Sequence, residues 1–293
     1  MAFYYKKNKE NVSIISFYVG RYYRLIKNSR EEKVILKEKR NLAKKEEKFI
    51  RKREIIFIKK KLDPLKSKVE EKIPERLART INKTFEKGFY YIFAKGTSII
   101  EKSYDINEIK LEADVNKYRL SKELSSKNLK IIDKGVNQGK VISQGITAVE
   151  GSALGFLGIG MPDIPVFISV ILRMIYEISL KYGFDYDNDR EKVFILNIIC
   201  FGISKPENKK KYSEACDKIA KLIDENEECD VDLNLDNMIK ETSKNLVNTL
   251  LVSKFIQGIP LVGTVGGAVN YMVLSNVSKA AKMKYKKRFI NKL

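Results

Sequence analysis

Two stretches of this chain are nearly free of charge in a protein whose formal net charge is +20. Gly151 to Leu172 carries one charged residue, Asp163, and Phe255 to Ser278 carries none. Seven of the 16 glycines lie between Gly135 and Gly160, and four more between Gly258 and Gly267. Glycine lets helices cross backbone to backbone, and about 20 apolar residues is the length that spans a bilayer. Prolines 162, 165 and 260 interrupt both stretches, which favours helical hairpins dipping into lipid over straight spans. The expectation is a protein that works at or in a membrane.

The rest of the chain constrains the chemistry. It contains no histidine, which removes histidine general bases, Ser-His and Cys-His pairs and most zinc, copper and haem sites. Cys200, Cys216 and Cys229 are odd in number and widely spaced, fitting neither a disulfide framework nor a zinc site. No metal or cofactor is expected, and the composition does not favour an enzyme. Asp185, Asp187 and Asp189 alternate as in a calcium loop, but Arg190 and Leu196 stand where that loop needs Gly and Glu; helix capping accounts for them better. No GxxxxGK[ST] occurs, and Gly155-x-x-Gly158-x-Gly160 follows no strand, so nucleotide binding has no support. The N-terminus holds only a short apolar run, Val12 to Gly20, and is expected to carry no signal peptide.

Alternating strand patterns are scarce and helical periodicity is common, so the fold class expected is an all-α bundle with two glycine-rich apolar hairpins. Asn28 to Leu62 reads as a long, exposed, charged helix or arm, with Ser29 as N-cap and Glu31 and Glu32 in its first turn. Leu65, Val69, Ile73, Leu77, Ile81 and Phe85 form a stripe that Pro74 should kink or divide. Ile106 to Ile132 follows as a further helical segment, with Leu111, Val115, Leu120 and Leu124 available for packing. Val166 to Tyr182, ended by Gly183, and Glu191 to Gly202 are the next helices, then an acidic loop from Asp224 to Asp232. A helix entering the second apolar stretch from Leu235 and a final one from Gly266 to Arg288 complete the chain. Two regions are expected: a basic arm over 1–61 and a helical domain over 62–293.

Residues 1–72 hold 23 Lys+Arg against 10 Asp+Glu, and the last fifteen residues add seven cations without an acid. Cations that directly follow an apolar segment suit the cytoplasmic side of a membrane, with anionic headgroups as their partners. Nucleic acid is not favoured for the arm, because its acids are interspersed among the lysines. Glu150 and Asp163 sit among apolar residues, where an unpaired charge is costly, so each needs a partner or serves a site. Arg173 and Asn270 are the candidate partners. Close helix packing, against lipid or within a core, is expected at Gly151, Gly155, Gly158, Gly160, Gly263 and Gly267.

The stretch GITAVEGSALGFLGIGMPDIPVFISVILRMIYEISLKYGFDYDNDRE, with Glu150, Asp163-Ile164-Pro165, Arg173 and Tyr182-Gly183-Phe184, resembles the signature of the EcsC family. So does IQGIPLVGTVGGAVNYMVLSNVSKAAKMKYKKRF, with Ile259-Pro260, Gly263, Gly266-Gly267 and Asn270 before a basic helix. The resemblance spans roughly 62–290. The family takes its name from a protein encoded beside a bacterial ABC transporter. The resemblance implies a bacterial, membrane-linked protein and specifies no reaction. Two readings follow. One is a membrane-associated, non-catalytic accessory to a transporter or envelope process, peripheral to or at the cytoplasmic face of the cell membrane. The other is a soluble helical domain whose acidic pocket of Glu150, Asp163 and Asn270 binds a small ligand or acts as an enzyme.

Overall fold

The computed structural model describes residues 28–51, 74–138, 163–225, 233–256 and 266–293. Their regular structure is helical throughout. The organising element is helix α7 (Asp189–Ile203), whose residues from Val193 to Ile203 are all buried. A helix that is apolar on every side has to sit inside others. Around it pack α8 (Pro206–Glu225), α9 (Leu235–Ile256) and α10 (Gly266–Asn291). A second layer is formed by α6 (Asp163–Lys181), α2 (Glu75–Tyr91), α3 (Thr97–Glu101), α4 (Ile106–Lys122) and α5 (Ser126–Gln138). Helix α1 covers residues 28–51 and lies against α7, α8 and α10.

Local chemistry explains most boundaries. Pro74, extended at ψ 120°, stands at the N-cap of α2, so the proline divides the apolar stripe instead of bending it. A π-turn, Ile92–Gly96, joins α2 to α3. Helix α6 closes in a Schellman motif. Gly183 takes φ +77°, its N–H donates to Leu180 O at 2.8 Å, and Phe184 N–H donates to Ser179 O at 3.0 Å. Asn188, not an aspartate of the 185–189 run, caps α7 by accepting from Glu191 N–H at 2.8 Å.

Three expectations are corrected. Asn28 and Ser29 are already helical, so Ser29 is not the cap of α1. The segment expected over 106–132 is two helices. Glu123 is extended at φ −150°, while Ser125 Oγ accepts from Asn128 N–H and so restarts the chain as α5. Within α4 the inward face is Ile109, Ala113, Asn116 and Leu120, which leaves Leu111 and Val115 exposed. The boundary expected at residues 61–62 lies outside the described residues.

A close helix crossing falls at Gly202, a position outside those where close packing was expected. A Cβ there would lie 2.8 Å from Val277 Cα and 3.0 Å from Val277 N, so α7 and α10 meet backbone to backbone. At Gly135, by contrast, a Cβ would meet the carboxylate tip of Glu112. Gly202→Ala is therefore expected to destabilise the fold by about 1–3 kcal/mol through overpacking. At Gly88→Ala the one close approach is to Ile168 Cδ1, the end of a flexible side chain, with Pro165 Cα at an ordinary 3.9 Å, so this change is expected to be tolerated better. Urea unfolding of the two variants side by side checks this; equal losses would refute it.

Candidate functional site

Three of the seven cations that close the chain, Lys284, Lys286 and Arg288, are buried. Arg288 is 3% exposed. It forms a bidentate pair with Glu191 at 2.8 and 2.9 Å and reaches both oxygens of Asp224 at 2.8 and 3.1 Å. Its guanidinium lies 4.3 Å from the centre of the Phe184 ring and 4.7 Å from that of Phe194. Burial alone would lower its pKa, but Asp224 and Glu191 outweigh burial and raise it. Lys284, 1% exposed, donates to Glu46, to Ser213 Oγ at 2.7 Å and to Asp217 at 2.8 Å. The Ser213 hydroxyl donates in turn to Glu46. Lys286 bridges Glu38 at 3.0 Å and Asp133 at 2.6 Å; Lys287 joins Asp217 at 2.7 Å and Glu46 at 3.2 Å. Lys282 donates to Asn137 at 2.9 Å and Lys292 pairs with Asp224 at 2.9 Å. Six of the seven cations expected to hold anionic headgroups thus bind α10 to α1, α5, α7 and α8, while Lys279 is exposed.

These pairs determine how α1 lies. Leu42 and Phe49 are buried, and Phe49 meets Phe201 edge-on at 5.1 Å between ring centres. Lys209 sits 4.2 Å over the Phe49 ring. Glu38 and Glu46 lie on the same inward face. Burial would raise the Glu46 carboxyl, but Lys284, Ser213 and Lys287 hold it below its ordinary value. The exposed arm expected here is thus half docked. The signal was present as Glu38, Leu42, Glu46 and Phe49 at steps of four, four and three. The opposite side stays in solvent, where Lys33, Leu36, Lys37, Arg40, Asn41 and Lys44 line an open groove of about 330 Å³.

The expected acidic set is only partly described. Glu150, Gly151, Gly155, Gly158, Gly160 and Gly263 lie outside the described residues. Asp163 is the first residue of α6, and Gly267 is in the first turn of α10. Arg173 lies ten residues beyond Asp163 on the same helix, about 15 Å along its axis. It bonds Glu177 at 3.0 Å and faces the Tyr104 ring at 5.8 Å. Asn270 is buried, and its Oδ1 has no hydrogen-bond partner. The Tyr182 and Phe289 rings, 5.8 Å between centres, bring the C-terminal ends of α6 and α10 together.

Around Arg173 the sequence reading missed a cluster of tyrosines. Tyr104 donates to the Tyr186 hydroxyl at 3.0 Å, and Tyr186 donates to Glu101 at 2.8 Å. The Tyr176 and Tyr186 rings stack with centres 3.9 Å apart. Burial pushes the Tyr104 phenol up to about 12 and raises Tyr176 and Tyr186 as well. These phenols stay protonated and act as donors that clasp the α3–α4 link to the α6–α7 link. Burial likewise pushes the Cys200 thiol up to about 12 and raises Cys216, which suppresses thiolate chemistry at both. No group of metal-ligating side chains occurs among the described residues.

The model of the EcsC protein family matches residues 36–290. The chain belongs to the EcsC family. The match begins upstream of residue 62, where the resemblance was expected to start, and so takes in the docked part of α1. Among curated proteins, "Protein EcsC" of Bacillus subtilis (strain 168) is 24% identical over 221 residues, covering 74% of this chain and 81% of that protein. No solved structure matches. Among the described residues of this EcsC protein, no helix is long and apolar enough to cross a membrane.

Proposed function

We propose that this EcsC protein is a membrane-associated, non-catalytic accessory to a transporter or envelope process, attached at the cytoplasmic face of a bacterial cell membrane. In this reading its two apolar stretches contact the cytoplasmic leaflet, with anionic lipid and a membrane transporter as partners. One observation carries the proposal. Val166, 43% exposed, and Tyr271, 53% exposed, stand out near the starts of α6 and α10, where the two uncharged stretches enter the body. Exposed Tyr91 follows by one turn Gly88 of α2, which packs on Ile168 and Pro165 of α6. Tyrosine and branched apolar side chains suit the boundary between headgroups and acyl chains. Further along, the same helices turn inward: Ile168, Ile171 and Leu172 on α6, and Val273, Leu274 and Val277 on α10, are buried in protein. Apolar contact with lipid would therefore be confined, along these two helices, to the end from which α6 and α10 start.

Flotation of the purified full chain with liposomes tests the proposal. The protein is expected to float and to stay with the vesicles through a high-salt wash, because apolar contact is not screened. Failure to float with neutral and with anionic lipid would sink the membrane reading.

A further inference from the structure

The order of residues in α1 scatters acids among lysines, but the folded helix sorts them by direction. With buried Leu42 as the inward pole and 100° per residue, Glu38, Glu46 and Phe49 fall within about 40° of it. Lys33, Lys37, Arg40, Lys44, Lys48 and Arg51 fall within about 60° of the outward direction. All six are exposed. The inward acids are held by Lys286, Lys284 and Lys287. Glu47, the acid on the outer face, pairs with Arg51 at 2.6 Å. Lys33, Lys37, Arg40 and Lys44 have no acidic partner among the described residues. By drawing Glu38 and Glu46 inward, the buried ion pairs leave a cationic ridge about 27 Å long.

We propose that this ridge is the surface by which the protein docks on an anionic bilayer, with phospholipid headgroups lying along the groove between Lys33 and Lys44. The inference rests on the membrane reading above and names its electrostatic partner. A straight ridge brings all six cations to one height, which a flat anionic surface can meet together. A helix laid across a nucleic-acid duplex meets phosphates only where it crosses the backbone. The ridge also lacks an aromatic on which a single-stranded base could stack, since Phe49, the aromatic residue of α1, faces inward. Its apolar element is Leu36, 53% exposed beside Lys37 and Arg40, a group that fits between headgroups.

The test uses the full chain and the variant Lys33→Gln/Lys37→Gln/Arg40→Gln/Lys44→Gln. None of the four residues contributes to the core, so thermal unfolding of the variant should match that of the parent. Both are titrated with phosphatidylcholine vesicles, with vesicles containing phosphatidylglycerol, and with duplex DNA at equal phosphate. The expected result is binding to anionic vesicles about 100-fold weaker or more in the variant, with unchanged binding to neutral vesicles. Equal binding of parent and variant to anionic vesicles would overturn the ridge proposal and leave the membrane reading standing. Absence of parent binding to either vesicle would overturn both. Tighter binding of the parent to DNA than to vesicles, lost in the variant, would reassign the ridge to nucleic acid.

Discussion

Replacing Arg288 by alanine should cost this EcsC protein about 3–5 kcal/mol of folding free energy, the usual penalty for removing one partner of a buried ion pair. The loss comes mainly from what remains. The Glu191 side chain is 4% exposed and faces Arg288 with both oxygens. Without the guanidinium its carboxylate has no cation of comparable proximity, in a site walled by Phe184, Phe194 and Tyr285. Burial already raises the Glu191 carboxyl despite its partner. In the variant Glu191 should titrate higher still. Arg288→Lys is expected to recover only part of the loss. A single ammonium is a point charge and cannot serve the two carboxylates in the forked geometry that Arg288 uses. The measurement is the urea midpoint with its slope held constant. A loss below about 1 kcal/mol would mean that Glu191 and Asp224 find other cations, and the ion pairs would then not be what secures α10.

What the sequence disclosed depended on whether the deciding contact was local. The all-helical class, the division at Pro74 and the stop at Gly183 depend on residues a turn away, and each is visible in the chain. The split between α4 and α5 depends on Asn128, whose side chain donates to Glu123 O at 2.8 Å; an unbroken run was the simpler pattern. Helix α4 offered two apolar stripes of similar strength. Packing of the chain buried Ile109, Ala113, Asn116 and Leu120 over the more apolar Leu111, Val115 and Tyr118. Periodicity cannot arbitrate between two faces when the neighbour that chooses lies on α6. The C-terminal cations were the hardest case. Their partners Glu38, Glu46, Asp133, Glu191, Asp217 and Asp224 are dispersed through the chain. A run of lysines after an apolar stretch looks the same whether lipid or protein supplies the counter-charge. Of the expected site residues, Asp163, Arg173, Gly267 and Asn270 lie within the described helices. Arg173 bonds Glu177 on its own helix, an i,i+4 pair legible in the sequence.

Lys284→Met isolates the contact on which the sorting of charge in α1 depends. Removing the ammonium leaves Glu46 facing Asp217, with Ser213 as its neutral neighbour and Lys287 at 3.2 Å as its remaining cation. A loss of about 3–5 kcal/mol is expected, together with faster proteolysis of α1, since Glu46 lies at the centre of its docked face. Adding Glu46→Gln should recover much of that loss, because replacing both members of a buried pair is far less costly than stranding one. The same pair predicts a pH dependence. The folded Glu46 carboxyl lies below its ordinary value of 4.5, so its ionised form favours folding at neutral pH. That contribution disappears as the pH falls from about 4.5 through the lower, folded value. Burial raises Glu177 and Glu191, and their titration runs in the opposite sense, so the effect must be read as a difference. The stability advantage of the parent over Glu46→Gln should shrink steadily below pH 4.5 and be absent in the Lys284→Met background. A difference that stayed constant with pH would place the counter-charge of Glu46 elsewhere. The inward pull on the acids of α1, and with it the reason for a predominantly cationic outer ridge, would then have to be sought in Glu38 and Lys286 alone.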